Sequence, residues 1–180
     1  MNTGHIVWTI GHSTRDFDDF LTLLKMNKIE LLVDIRSFPG SRKYPQYNKE
    51  NLMVKVPENN IEYFHLVQLG GRRKVNPDSN NLGWHHPAFR GYADYMETTA
   101  FDTAIHELEQ LALQKRVAYM CSEAVWWRCH RSMVSDWMKC NGWKVLHILS
   151  KTEVEEHPYT QPARIVNGKV IYTLADTVES

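Results

Sequence analysis

Residues 117–131 read VAYMCSEAVWWRCHR, an apolar run followed by a dense group of polar and aromatic side chains. The first four residues have the pattern of a buried strand, and a helical pattern begins where the stretch ends. Cys121, Glu123 and Cys129 lie at this strand-to-helix connection. Because ligands of open parallel α/β sheets bind at the carboxyl ends of the strands, the stretch predicts a functional site.

The overall charge is neutral, but the basic residues are unevenly distributed. The chain has 180 residues, with a formal net charge of zero, 43% apolar residues and 23% charged residues. This length suits one domain with a proper core. Between Arg36 and Arg90, nine Lys or Arg residues stand against four acids. A local basic surface on a neutral protein suits a small phosphorylated ligand better than bulk binding of a polyanion.

The cysteine content and the apolar runs indicate a compartment. Three cysteines without a framework spacing favour reducing surroundings. No apolar run approaches the ~20 residues of a membrane span, and the start of the sequence lacks the pattern of a secretion signal. We therefore expect a cytoplasmic protein with free thiols, no membrane contact and no cofactor. The sequence does not predict the oligomeric state.

Strand-like and helix-like segments alternate along the chain. Strand patterns fall at residues 6–10, 31–35, 61–66, 116–120 and 144–149, and helix patterns at 16–27, 49–56, 91–114 (broken near 98–99) and 131–141. Successive β-then-α units predict a parallel sheet with right-handed crossovers. Asn167-Gly168 predicts a hairpin over residues 165–171.

The predicted fold class is therefore α/β. We expect a single domain over residues 1–180, with an open, mostly parallel sheet flanked by helices and a C-terminal β-hairpin. Its core spans residues 5–150, and residues 151–180 form a C-terminal extension.

Polar groups follow the first four predicted strands. They are Gly11-His12-Ser13-Thr14 after the first, Asp34-Ile35-Arg36 after the second, His65 and Gly70-Gly71-Arg72-Arg73 after the third, and Cys121 with Glu123 after the fourth. Such placement at one edge of a parallel sheet predicts one composite pocket. Ser13 or Thr14 is expected to cap the first helix and leave backbone N–H groups for an anion.

Several strings of the sequence resemble a known family. TIGHST, LLVDIRSFPGSRKYPQYN, LGGRR, GWHHPAFRGYADYM and MCSEAVWWRCHRSMVSDWM are similar to the bacterial and archaeal family called domain of unknown function 488. The resemblance runs from about Thr9 to His147. It implies an α/β domain with a polar pocket and supplies no reaction, so the chemistry must come from the residues.

The residue types predict an enzyme with hydrolase-type acid/base chemistry on a phosphate-bearing, nucleotide or nucleic-acid-related substrate. The expected catalytic groups are Asp34, Glu123, His12 and His130. The expected substrate-binding groups are a set of arginines, which form planar forks on phosphate, with one hydroxyl and one aromatic residue: Arg36, Arg42, Arg72, Arg73, Arg90, Arg128, Arg131, Ser13 and Tyr92.

Other interpretations stay open at this point. Asp34 and Arg36 share a strand face and so can also form an internal ion pair. The basic and aromatic loops suit a binding module for nucleotides or nucleic acid without catalysis. A thiol-dependent protein is a third reading, because Cys129 precedes a helix between arginines, which lowers a thiol pKa. A metal site at Cys121, Cys129 and His130 has irregular spacing.

Overall fold

Buried apolar segments pair into one mixed sheet at the centre of the fold. The computed structural model describes residues 4–175. Its strands are β1 (Ile6–Gly11), β2 (Leu31–Asp34), β3 (Glu62–His65), β4 (Val117–Cys121), β5 (Lys144–Ile148) and β6 (Val154–Glu156). The order is β3-β2-β4-β1-β5-β6. All neighbours pair in parallel except β5 and β6, which are antiparallel.

Five helices cover the two faces of this sheet. They are α1 (Phe17–Met26), α2 (Lys49–Lys55), α3 (Pro87–Tyr95), α4 (Thr99–Gln114) and α5 (Arg131–Cys140). The apolar residues of α1 and α2 belong to one core cluster, and those of α3, α4 and α5 belong to another. β2 shows why both are needed, because Leu31 and Val33 enter one cluster while Leu32 enters the other. A strand buried on both faces reads as a continuous apolar run.

The C-terminal hairpin has the predicted turn. β7 (Arg164–Val166) pairs with β8 (Lys169–Ile171) in antiparallel fashion. Asn167 and Gly168 at its tip have φ angles of 52° and 76°. Two successive positive φ angles are what a type I′ turn requires. The predicted α/β class with this hairpin is confirmed.

The elements differ from the prediction in three places. β6 was not predicted, because its three residues carry two glutamates and lie at the sheet edge. α3 begins at Pro87 rather than residue 91, with His86 at its N-cap. The N-cap of α1 is Asp16, so the expected capping by Ser13 or Thr14 is wrong. Within residues 4–175, no helix has both the length and the apolar character that crossing a bilayer demands.

Candidate functional site

A cavity of about 530 Å³ opens where β1, β2 and β4 end. Each of these strands delivers a polar residue to its wall, because parallel strands present their carboxyl ends at one edge. Six residues of the sequence-based site line the cavity, and both cysteines of the 121–131 stretch join them: His12, Arg36, Arg72, Glu123, Arg128, His130, Cys121 and Cys129. The expected pocket at the strand ends therefore exists as a physical cavity.

The other predicted site residues do not line this cavity: Asp34, Ser13, Arg42, Arg73, Arg90, Tyr92 and Arg131. Tyr92 is fully buried and donates to the carbonyl of Leu69 at 2.8 Å. Arg73 lies over the ring of Tyr95, 3.6 Å from its centroid, and Arg90 donates to the carbonyl of Trp84 at 2.9 Å.

Two further residues of that group lie near the surface. Ser13 is half-buried with a φ of 51°, and Arg42 is exposed. Of the seven residues, Tyr92, Arg73 and Arg90 therefore have partners within the fold and do not contact the cavity.

Asp34 and Arg36 form a buried, two-pronged ion pair. Arg36 donates from Nε to Oδ1 of Asp34 at 2.9 Å and from Nη2 to Oδ2 at 2.7 Å. Tyr63 also donates to Oδ2, so both carboxylate oxygens are occupied. Burial opposes the charge of Arg36, but the hydrogen bonds and charge of Asp34 raise its pKa overall. Asp34 therefore orients Arg36 at the pocket wall, and the internal ion-pair interpretation describes the geometry.

His12 is held as a neutral imidazole beside this pair. Its Nδ1–H donates to the carbonyl of Ser13 at 2.8 Å, so its Nε2 accepts from Nη1 of Arg36 at 3.3 Å. The ring stacks on Tyr47 with centroids 4.2 Å apart. Burial, together with the charge of Arg36, lowers the pKa of His12 to about 4, although the Ser13 hydrogen bond opposes the shift. His12 therefore presents a neutral ring to the cavity.

His130 is also neutral and is fixed by a different contact. Its Nε2–H donates to the carbonyl of Ile35 at 2.8 Å. Burial is again the main cause that lowers its pKa to about 4. The ring lies against Gly71, where an added Cβ would come within 2.4 Å of Nδ1. Gly71 is therefore needed for the close approach of the 70–73 loop to this histidine.

The two cysteines of the cavity form an asymmetric thiol pair. Their sulfurs are 2.9 Å apart, with Cys121 buried and Cys129 half-buried. Burial and the neighbouring Cys129 raise the pKa of Cys121 well above its usual value. Burial opposes ionisation of Cys129 too, but the Cys121 hydrogen bond and the Arg131 charge outweigh it and lower the pKa of Cys129 to about 7. These opposite directions favour Cys121 as the thiol donor and Cys129 as the acceptor, which is the thiol that ionises first.

Arg131 supplies the positive charge beneath this pair. It is fully buried, and its Nε–H donates to the Cys121 sulfur at 3.0 Å. Nη2 donates to the carbonyl of Glu123 at 2.8 Å. Across residues 4–175 no Asp or Glu side chain forms an ion pair with it. Because an uncompensated buried charge is costly, the guanidinium favours an anion at the adjacent thiols.

A chain of buried hydrogen bonds continues from Arg131 through β1 and β5 to Asp136 on α5. Nη1 of Arg131 donates to the hydroxyl of Thr9 at 3.0 Å, and Thr9 lies 2.6 Å from Nδ1 of His147. Nε2 of His147 lies 2.8 Å from Nδ1 of His157, whose Nε2 lies 2.9 Å from Asp136. A carboxylate accepts hydrogen bonds and cannot donate them. Asp136 therefore sets both ring tautomers and makes Thr9 a donor to His147.

Asp136 has further donors at its end of the chain. The hydroxyl of Thr160 donates to it at 2.6 Å and that of Tyr172 at 2.8 Å. His147 is fully buried, and burial together with the neighbouring His157 and Arg131 lowers its pKa to about 2. Trp126 stacks on His147 with ring centroids 4.8 Å apart and so closes this network from one side.

Sequence reasoning did not select four of these residues: Thr9, Asp136, His147 and His157. Thr9 and His147 are 138 positions apart and meet because β1 and β5 are neighbours in the sheet. Within residues 4–175, no three His, Cys, Asp or Glu side chains are grouped as ligands of a metal ion would be. The two thiols instead have Arg131 as their charged neighbour.

Comparison with known families gives one result. The family described as Domain of unknown function DUF488 matches residues 16–138. The chain belongs to the DUF488 family. Comparison with the curated proteins and with the solved structures gave no match. The DUF488 region holds the thiol pair, Arg131 and Asp136, whereas Thr9, His147 and His157 lie outside it.

Proposed function

We propose that this DUF488 protein is an enzyme that hydrolyses a phosphate ester of nucleotide type, with Cys129 as its nucleophile. The observation that carries the proposal is the thiolate site, in which Cys129 accepts a hydrogen bond from Cys121 beside the buried charge of Arg131. A thiolate, not a thiol, is the reactive form of cysteine. The proposal gives Asp34 no acid/base role, because Arg36 and Tyr63 occupy both of its carboxylate oxygens.

The cavity supports an anionic substrate. Three arginines line it, Arg36, Arg72 and Arg128, against a single carboxylate, Glu123. Arg72 and Arg128 are exposed, so their guanidinium groups can meet phosphate oxygens in a two-pronged geometry.

Aromatic side chains at the same cavity support a nucleotide-type substrate. Phe38 and Tyr44 line the wall, and Phe38 is 70% exposed. The Arg72 guanidinium lies over the Phe38 ring, 5.2 Å from its centroid. A large exposed ring next to a cation can stack on a nucleobase while the cation binds phosphate. Phe38 thus provides a contact for the base of a nucleotide, and Arg72 provides one for its phosphate.

The reaction divides into two displacements. The Cys129 thiolate attacks phosphorus, the S–P bond forms, and the bond from phosphorus to the leaving oxygen breaks. Glu123, which lines the same cavity and is exposed, gives its proton to that oxygen. Water then attacks phosphorus, returns a proton to Glu123 and releases inorganic phosphate, which restores the thiolate. Each proton and each bond is accounted for by Cys129, Glu123 and one water molecule.

Release of inorganic phosphate tests this function. The substrates are p-nitrophenyl phosphate, a nucleoside monophosphate and an oligonucleotide with a terminal phosphate. We expect Cys129→Ser to lose about a thousand-fold or more in kcat and Glu123→Gln about a hundred-fold. Cys140→Ser is the matched control, because that thiol lies outside the cavity and donates to the carbonyl of Gly168.

Three outcomes separate the alternatives. Phosphate release that depends on Cys129 supports the proposal, and a phosphoryl group on Cys129 in a quenched reaction identifies the intermediate. Binding of the oligonucleotide without release, unchanged in Cys129→Ser, would instead support the non-catalytic binding module. Neither binding nor release of any of the three compounds would overturn both.

A further inference from the structure

The sulfurs of Cys121 and Cys129 are neighbours in the cavity and differ in their exposure. Cys129 is half-buried at the cavity wall, whereas Cys121 lies buried at the end of β4. Their separation is 2.9 Å, and a disulfide requires about 2.05 Å between sulfurs. A shift of less than one bond length would therefore join them.

The backbone at Cys129 can move more easily than the backbone at Cys121. Cys121 is the last residue of a central strand and is paired with β1 through Gly11. Cys129 lies between the short turn Trp126–Arg128 and α5, in neither a strand nor a helix. Segments without regular hydrogen bonding move more easily than central strands. Cys129 can thus approach a fixed Cys121.

We propose that Cys121 and Cys129 form a reversible redox pair, in which a hydroperoxide oxidises Cys129 and Cys121 closes an intramolecular disulfide. In the first step the Cys129 thiolate attacks the terminal oxygen of the hydroperoxide. The S–O bond forms, the O–O bond breaks, and an alkoxide or hydroxide leaves. In the second step the Cys121 sulfur displaces the hydroxyl from the Cys129 sulfenic acid, and the thiol proton leaves with it as water. A small dithiol reduces the protein disulfide by thiol–disulfide exchange, which restores both protein thiols and leaves the dithiol as its own disulfide.

Arg131 makes this disulfide different from a structural one. In the reduced protein the guanidinium lies beside a thiolate and donates to the Cys121 sulfur at 3.0 Å. Oxidation removes the anion and leaves the buried cation without its counter-charge. The loop that the bond closes is also short, so the bond restricts the unfolded chain less than a disulfide across a long loop would. We therefore expect the oxidised protein to unfold at a lower temperature than the reduced protein.

The redox pair is connected to the proposed function through Cys129, which both proposals use. If Cys129 is the nucleophile of phosphate hydrolysis, the disulfide stops turnover and a dithiol restores it. The formation of the bond itself does not depend on turnover, because it is read from the mass of the protein and of its peptides.

The experiment uses the full chain with Cys140→Ser, which removes the third thiol. Hydrogen peroxide is added to the reduced protein, and intact mass, peptide mapping and thermal unfolding are recorded before and after dithiothreitol. We expect the loss of two hydrogen masses, a peptide linking Cys121 to Cys129, a lower unfolding temperature and full reversal. With Cys121→Ser added, the oxidation should stop at a Cys129 sulfenic acid that dimedone captures. With Cys129→Ser added, neither product should form.

The proposal is overturned if both thiols of the Cys140→Ser protein stay reduced, or if the linked peptides come from two molecules. It is also overturned if dimedone captures no sulfenic acid at Cys129 in the Cys121→Ser protein, or if it captures one at Cys121 in the Cys129→Ser protein. If the disulfide forms but phosphate hydrolysis is absent in the reduced protein, the redox pair stands and the proposed function fails. If hydrolysis depends on Cys129 but no disulfide forms, the proposed function stands and the redox pair fails.

Discussion

The Nε–H of Arg131 donates a 3.0 Å hydrogen bond to the sulfur of Cys121, although both side chains are buried. A guanidinium normally meets a carboxylate or phosphate in such a position. Here its ionisable neighbours are two thiols, and Cys129 is the one whose pKa is lowered. The pair of residues thus links a structural charge in the core to a reactive group at the cavity.

The first prediction concerns the reactivity of Cys129. Because its pKa is about 7, iodoacetamide should alkylate it with a rate that rises through about pH 7. In the Cys140→Ser protein the rate at that pH should exceed that of an ordinary thiol several-fold. The larger thiolate fraction outweighs the lower intrinsic nucleophilicity.

Two substitutions at Cys121 separate hydrogen bonding from packing. Cys121→Ala removes the donor, so the pKa of Cys129 should rise toward the ordinary value. Cys121→Ser keeps a donor and an acceptor, so the pKa should stay low. Equal alkylation profiles for the two variants would show that the Cys121 hydrogen bond does not set the ionisation of Cys129.

The second prediction concerns the Asp34–Arg36 pair. Asp34→Asn leaves the buried guanidinium of Arg36 without its counter-charge, so the free energy of unfolding should fall by about 3–5 kcal/mol. Tyr63→Phe removes one neutral donor to the same carboxylate and should cost about 1–2 kcal/mol. Urea unfolding monitored by circular dichroism measures both. Similar losses for the two variants would mean that the ion pair contributes no more than one hydrogen bond.

The third prediction uses two glycines of the cavity wall. A Cβ at Gly71 would lie 2.4 Å from the ring of His130, whereas one at Gly40 meets no atom within 4 Å. Gly71→Ala should therefore displace His130 and reduce ligand affinity, and Gly40→Ala should leave it near that of the unchanged protein. Titration with p-nitrophenyl phosphate measures both affinities. Tight binding by the Gly71→Ala protein would argue against a role for the position of His130.

The fourth prediction is a loss of stability in acid. His12 and His130 have folded-state pKa values of about 4, below the ordinary 6.5. The unfolded chain therefore binds more protons between these values, so stability is full above about pH 6.5 and declines as the pH falls toward 4. For His147, with a pKa of about 2, the decline continues further. Each histidine contributes a slope of about 1.4 kcal/mol per pH unit.

The slope is measured by urea unfolding at several pH values. His147→Gln should reduce it by one proton, because that residue no longer takes up a proton on unfolding. His106→Gln is the control, since that ring lies at the surface. A slope that is the same in all three proteins would contradict the assignment of His147 as a buried neutral histidine.

The sequence predicted the sheet better than it predicted the chemistry. The apolar runs at β1, β2 and β4 are strong signals because these strands are buried on both faces. Their shared carboxyl edge follows from parallel pairing, so the place of the pocket could be deduced. The edge strand β6 escaped detection because it has only three residues and two of them are glutamates.

Which side chains reach the cavity could not be read from the pattern. Asp34 precedes Arg36 by two positions, and no periodicity distinguishes a catalytic carboxylate from one that holds a neighbouring guanidinium. The partnership of Thr9 with His147 depends on the strand order, which local sequence does not contain. The sequence predicts that Arg131 lowers the pKa of Cys129 and also binds substrate, and in the structure Arg131 is fully buried and donates to the sulfur of Cys121.

The hydrogen-bonded chain that ends at Asp136 has a consequence for the boundaries of the domain. Asp136 lies inside the family region, which ends at residue 138, but His157, Thr160 and Tyr172 donate to it from beyond that region. A chain that ended at residue 150 would keep the buried carboxylate of Asp136 but lose the hydrogen bonds from these three residues. Residues 157–172 therefore complete the hydrogen bonding of a buried carboxylate that lies within the family region, and the polar interior next to the thiol pair is built from both parts of the chain.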